Sequence, residues 1–447
     1  MYGQEDERFI KETFFKHAGS INISTLQRFL LYLTIIAGFI GSAFLAIPVG
    51  PIHIFPYRVL ILILWFIFAM GIFLQGWVDT SHMNVKSYLQ LLALWFVYAV
   101  VSLTWAASKA DAIRAIIFLA MAASVIFFVV YYFSNAKNLK RFYYLWLLIL
   151  AALIPIGLWE NLTGNHLSVS GLIGAPQADI FMPSTVFHNP NDFATYLALS
   201  VPFVLALIRY HRRAFARCVG LVLLGVSLYL LSVTYSRANY LAVILEVLFL
   251  FVFLFKLKAK FRAIILGGLL ILAIIIALPG PMKSITSTIS EQIESVTSPW
   301  SLTYGSTGVR INLIKNSLVF LGRTAGFGVG AGNAEYWMKN FQIYNTYGIL
   351  NPHNWWDEIL VDYGIFIFMG YILFYLRLIA GLYRIHRRLG DRTEKMICEA
   401  LLVALVGFSL ASISSSSIMD LRPQWFLFAF VLAFLNYQRI KQAEGVT

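Results

Sequence analysis

Residues Asn351–Arg384 read NPHNWWDEILVDYGIFIFMGYILFYLRLIAGLYR. From Glu358 to Arg384 the stretch is dominated by apolar residues and outlasts the ~20 residues that a helix needs to cross a bilayer. A run of this kind is stable in lipid as a helix, which satisfies its own backbone hydrogen bonds. Its entry, Asn351-Pro352-His353-Asn354, is polar. Pro352 disfavours helix at Asn351 and suits a first helical turn, so His353 is expected at the N-terminal end of the span.

Eleven more apolar runs surround this one: 27–48, 57–76, 87–106, 113–134, 142–159, 192–209, 216–234, 238–256, 262–279, 396–416 and 423–438. The 447-residue chain is 60% hydrophobic and 12% charged, with a mean hydropathy of +0.76. Soluble domains carry about 25% charged residues. The expected fold is an all-α polytopic membrane protein of twelve spans, forming a single membrane domain over residues 1–447. Met1–Ser24 lacks the layout of a cleaved signal, so run 27–48 is expected to be a retained span.

An even number of spans puts both termini on one side. With the termini inside, 23 of the 34 Lys and Arg residues fall on inner segments. They include Arg209/Arg212/Arg213/Arg217, Lys256/Lys258/Lys260/Arg262 and Arg384/Arg387/Arg388/Arg392/Lys395. This is the positive-inside pattern of a cytoplasmic membrane protein with cytoplasmic termini. The net charge of +13 is then topology and contact with anionic membrane lipids. Nucleic acid is not an expected partner, because the basic residues are divided among short loops. Cys218 and Cys398 both sit at inner ends of spans and suggest neither a disulfide nor a metal site.

Two outer connections are long. Glu160–Asn191 holds no Lys or Arg, and Gly280–Asp357 is an extracytoplasmic loop between spans 9 and 10. The second contains Trp300, Tyr304, Trp337, Tyr344, Tyr347, Trp355 and Trp356, which favours an ordered cap (280–357) at the bilayer interface. Within it Gly308–Gly322 reads as a helix, with Val309, Leu313, Leu318 and Phe320 as its apolar side. The run Gly326-Phe327-Gly328-Val329-Gly330-Ala331-Gly332-Asn333 has the look of a nucleotide loop but lacks the flanking βαβ unit. It reads better as a tight turn whose amides are offered to a phosphate or a sugar.

Three outer-face groups suit chemistry on a phosphorylated substrate. A helix N-terminus disfavours imidazolium, so His353 is a candidate neutral base; the plainer reading is an interfacial His that packs and hydrogen-bonds. A metal held by His353 and Asp357 would have only two ligands, so no metal is expected. Arg237 lies in Thr234-Tyr235-Ser236-Arg237, where spans 7 and 8 meet with almost no loop. A guanidinium held there matches phosphate oxygens, or else it caps the hairpin. Arg310 on the cap helix is its expected partner, with Arg323 in reserve. Tyr235, Ser236, Asn354, Asn189 and Asn191 are candidate substrate contacts, the last two also apt as helix caps. His188 is a second candidate base, ranked lower because loop 160–191 offers no arginine. Glu246 lies mid-span, either functional or a protonated structural group.

His353-Asn354 followed by Gly364, the preceding glycine run, the Ser236-Arg237 junction and His188-Asn189-Pro190-Asn191 together resemble the O-antigen ligase and Wzy-type polysaccharide polymerase superfamily. Ile367 departs from the small residue or Tyr that the family often has three positions after that glycine. The resemblance implies a GT-C-related fold and a metal-independent, inverting glycosyltransferase that needs no cofactor. Its donor would be a glycan on undecaprenyl diphosphate at the outer face. The family's essential His would correspond to His353, and its essential arginines to Arg237 and Arg310. The acceptor would be a lipid-linked repeat unit for a polymerase or lipid A core for a ligase, and a chain-length regulator is a candidate partner. Trp159–Leu167 and Thr185–Phe193 resemble polymerases of Gram-positive envelopes, such as the teichuronic acid type, which favours polymerase. A twelve-helix secondary transporter is the rival from another class; the missing repeat symmetry and the outer placement of the polar residues speak against it.

Overall fold

The computed structural model describes residues 23–49, 52–75, 78–177, 179–255, 306–415 and 418–445. The run 262–279, the basic cluster 256–262, and Trp300 and Tyr304 of the cap lie outside the described residues. Among the described residues there are thirteen α-helices. They are α1 (Ile23–Ile40), α2 (Pro56–Gln75), α3 (Lys86–Val101), α4 (Lys109–Tyr132), α5 (Ala136–Thr163), α6 (Pro190–Tyr210), α7 (Ala214–Val233), α8 (Arg237–Phe249), α9 (Ser306–Arg323), α10 (Ala334–Phe341), α11 (Trp355–Arg388), α12 (Arg392–Ala411) and α13 (Arg422–Ala443). A short antiparallel hairpin, Ile47–Val49 with Ile52–Ile54, joins α1 to α2. Among the described residues, eight helical stretches are long and apolar enough to cross a membrane. The chain is a multi-pass α-helical membrane protein.

α6, α12 and α13 form the interior of the bundle, and α6 is buried on nearly every side. Small residues let the backbones approach: Ala198, Ala242 and Ala411 meet where α6, α8 and α12 cross. Aromatic rings fill the space between α3, α11 and α13, with Trp95 against Trp355, Tyr363, Tyr371 and Trp425. Leu62, Phe66 and Phe73 on α2, Phe215 and Val222 on α7 and Leu241 on α8 are exposed, as side chains facing lipid should be. Trp355 and Trp356, expected at the bilayer interface, instead belong to the bundle. Trp355 is fully buried and its ring N–H donates to Tyr371 at 2.8 Å, while that of Trp356 donates to the Ser409 carbonyl at 3.0 Å.

α11 is not one continuous span. It breaks at Gly364, where φ 76° and ψ 179° mark a backbone region essentially restricted to glycine. A Cβ at Gly364 would stand 2.3 Å from the Gly326 carbonyl oxygen, and one at Gly328 would stand 2.5 Å from the Gly364 nitrogen. The glycine run crosses the break at this closeness and repairs its backbone. Val329 N–H donates to Val361 O at 2.8 Å, Gly330 N–H to Asp362 O at 3.0 Å, and Ile365 N–H to Gly326 O at 3.0 Å. The Asp362 carboxylate accepts the amides of Gly332 at 3.0 Å and Ala334 at 2.8 Å. The run is therefore a tight turn, but these amides serve the protein's own helix rather than a phosphate or sugar.

The cap helix expected over Gly308–Gly322 is α9. Val309, Leu313 and Phe320 pack with Val329, Met338 of α10 and Val361 of α11 into a small core of their own, while Leu318 is exposed. The other long connection is pinned from within by Glu160. Its buried carboxylate accepts the amides of Ser184 and Thr185, both at 2.7 Å.

α11 carries His353 just before its start and His386, Arg387 and Arg388 in its last turn. From Ile365 to Arg388 it rises about 36 Å at 1.5 Å per residue, so the two features mark opposite ends of the bundle. At the Arg388 end Arg209 reaches Glu399 at 2.8 Å, joined by Tyr210 at 2.8 Å and His386 at 3.2 Å.

Candidate active site

Tyr235 turns the chain between α7 and α8 with φ 54°, so α8 begins immediately and Arg237 occupies its first position. Arg310 sits in the first turns of α9. The fold brings the two together: both line one cavity of about 350 Å³, together with Tyr235, Ser236, Asn191 and Ser414. Burial pushes the Arg310 guanidinium below its usual range, and the neighbouring Arg237 pushes it further. Both groups remain cationic at physiological pH. Two half-buried guanidiniums that repel one another form a site an anion would relieve, and their planar forks match phosphate oxygens.

His353 stands close enough to Arg310 to feel its charge. Its backbone is left-handed, φ 50°, held by Asn351, whose side-chain oxygen accepts the His353 N–H at 2.8 Å. Because of that φ the helix cannot include His353 or begin at Pro352. It starts at Trp355, with Asn354 as cap accepting the Trp356 N–H at 3.2 Å. Asn354 thus has a structural task at a position first read as a substrate contact. The backbone of Ser415 lies close enough to the His353 ring to favour its protonated form. Burial lowers its pKa below the usual value and Arg310 lowers it further, against smaller opposite effects from the Ser415 carbonyl and Glu335. The lowered value favours the neutral ring, the form that can accept a proton.

The serine segment beneath this site was not anticipated from the sequence. Ser412 O accepts the Trp355 N–H at 3.0 Å. Asn239 donates to Ser414 and to Ser236, each at 2.9 Å, and to Thr195 at 3.3 Å; Thr195 in turn meets Ser415 at 2.8 Å. Ser236 is thus buried in the floor of the cavity, bonded to protein partners. The run Ser412-Ile413-Ser414-Ser415-Ser416-Ser417 was the available signal, hidden because it continues an apolar helix.

Other candidates lie elsewhere. Arg323 does not share the cavity: thirteen residues along α9 from Arg310, or about 20 Å, it is exposed and donates to Phe341 O at 3.3 Å. Asn189 caps α6, accepting the Asp192 N–H at 3.0 Å. His188 lines a different cavity of about 240 Å³ with Asp192, Asp420 and Arg422, an arginine supplied from far along the chain. Glu246 is buried against Gly407, about 14 Å along α8 from Arg237. Among the described residues no three His, Cys, Asp or Glu side chains gather as a metal site would require.

A family model described as O-antigen ligase matches residues 221–374, the segment that contains Arg237, Arg310 and His353. The teichuronic acid biosynthesis protein TuaE of Bacillus subtilis (strain 168) is 32% identical over 419 residues, covering 92% of this chain and 84% of that protein. The chain belongs to the O-antigen ligase family. This O-antigen ligase family member is accordingly a membrane protein of the polysaccharide polymerase or ligase class.

Proposed function

We propose that the chain is a metal-independent, inverting glycosyltransferase that polymerises polysaccharide repeat units. The donor glycan is carried on undecaprenyl diphosphate, and the acceptor is a sugar hydroxyl of a second lipid-linked unit. The observation that carries this reading is the cavity shared by Arg237 and Arg310 with a neutral His353 beside Arg310. The acceptor oxygen attacks the anomeric carbon and its proton passes to the neutral His353 ring. The bond from that carbon to the diphosphate breaks, and the electron pair leaves with the lipid diphosphate. Arg237 and Arg310 meet the charge that grows on the leaving group, the larger contribution, and the base adds a smaller factor. Guanidinium does here what a divalent cation does elsewhere, so the scheme asks for no metal.

The basic clusters at the Arg388 end and the positive-inside pattern support cytoplasmic termini, twelve spans, and a site facing the periplasm or the exterior, with residues 280–357 as its cap. The teichuronic acid relative favours polymerase over transfer to lipid A core. The full chain in lipid nanodiscs, supplied with lipid-linked oligosaccharide extracted from cells that make this protein, tests the reading by gel. Elongated lipid-linked products support it. Transfer only to lipid A core would make the protein a ligase, and uptake of solute without any glycan transfer would make it a transporter.

A further inference from the structure

An inverting displacement is a constraint on space. The attacking oxygen enters opposite the leaving oxygen, so an acceptor cannot share the wall that holds the diphosphate. It must still reach the His353 ring. A second cavity, of about 120 Å³, is lined by Asn351 and Pro352, the two residues before His353, and has no lining residue in common with the arginine cavity. Its walls include Asp111, Arg114, Glu335, Asn351, Glu358 and Tyr363.

We propose that this cavity is the acceptor subsite, which binds the uncharged, hydroxyl-bearing terminal sugar of the acceptor glycan. The proposal rests on the glycosyltransferase reading above.

Three features fit that ligand. Asn351 links the cavity to the backbone that carries the base: its Nδ2 donates to Glu335 Oε1 at 2.8 Å while its Oδ1 accepts the His353 backbone amide at 2.8 Å. Glu335 is close enough for its charge to act on the His353 ring. A sugar held at Glu335 therefore lies at the turn that carries the base. Secondly, the wall is rich in acceptors for sugar O–H groups, and its one lining guanidinium, Arg114, is already paired with Asp111 at 3.3 Å. Carboxylates here repel a diphosphate and a uronate alike, which sorts donor from acceptor by charge. Thirdly, the Tyr363 hydroxyl belongs to a side chain only 1% exposed and has no hydrogen-bond partner among the described residues. Such a group is costly unless a ligand or water satisfies it. The volume suits a single ring, so the longer glycan would extend into solvent past exposed Glu335.

The test separates the two substrates kinetically, using the full chain in nanodiscs. Preassembled polymer on its lipid serves as donor, and radiolabelled short lipid-linked repeat unit, from the same cells, as acceptor. Glu335→Gln retains an oxygen for Asn351 Nδ2 and lies on the exposed side of α10, so the fold is preserved; Glu358→Gln is the second variant. Each is expected to raise KM for the acceptor about tenfold while KM for the donor stays within about twofold. Arg237→Lys should show the converse. Unchanged acceptor KM in both variants, or an equal rise in both KM values, overturns the subsite. A wild-type protein that never elongates the acceptor overturns the glycosyltransferase reading itself, and is recognised by the absence of any product to titrate.

Discussion

Asn239 Nδ2 donates to Ser414 Oγ at 2.9 Å, tying the buried first turn of α8 to the serine segment that follows α12. Through Thr195 the same network reaches Ser415, whose backbone acts on the His353 ring. Asn239 touches neither proposed substrate, so it acts by fixing the ring. Asn239→Ala should lower kcat about tenfold or more while leaving KM for the donor nearly unchanged. Steady-state kinetics with both substrates varied checks this; a loss confined to KM would contradict it.

His353→Asn isolates the base from its backbone. Asparagine tolerates the left-handed conformation at φ 50°, so the turn should survive. Elongation should fall by about 10² to 10⁴, the usual contribution of a general base. Thermal unfolding of the variant should match wild type; full activity would remove His353 from the mechanism.

For the arginines, charge and shape can be separated. Arg237→Lys and Arg310→Lys keep a cation but lose the planar fork, so partial activity is expected, with Ala variants far weaker. Arg323→Ala, remote from the cavity, should stay within about twofold of wild type. Donor binding measured without acceptor reads the effect directly.

The pH profile follows from the direction of the His353 shift. The neutral ring is the active form, and burial and Arg310 place its pKa below 6.5. Activity should therefore be level above pH 6.5 and fall as pH drops through the lowered value. Arg310→Ala removes a cation that disfavours imidazolium, so the acid limb of kcat/KM should move to higher pH. A limb that stays in place, or moves to lower pH, would show that His353 is not the titrating base.

Gly364→Ala tests the break in α11. Its φ of 76° with ψ near 180° strains any side chain by about 1–3 kcal/mol, and Cβ would collide with the Gly326 carbonyl at 2.3 Å. A lowered unfolding temperature and lost activity are expected, because the same break carries the loop that braces the cap. Wild-type stability would mean that α11 can straighten.

Legibility in the sequence differed from one feature to the next. Eleven of the twelve apolar runs coincide with a described helix, because crossing lipid imposes length and hydropathy on every stretch alone. The glycine run could be rejected as a nucleotide loop but not assigned its partner, since Gly328 and Gly364 are 36 residues apart and only contact explains both. Arg323 stood in reserve to Arg310, and the structure leaves it exposed about 20 Å along α9 from the cavity. Ser414 and Ser415 were invisible because serine at a helix end is ordinary, and only Asn239 and His353 give them a purpose.

The sequence by itself determined a multi-pass helical membrane protein with His353 at the mouth of a span, because the hydrophobic demand of a bilayer is local and can be read residue by residue. The tertiary structure decided that Arg237 and Arg310 share one cavity, that α11 breaks at Gly364 and that the glycine run mends it. These depend on contacts between segments far apart in the chain, which hydropathy and spacing do not encode.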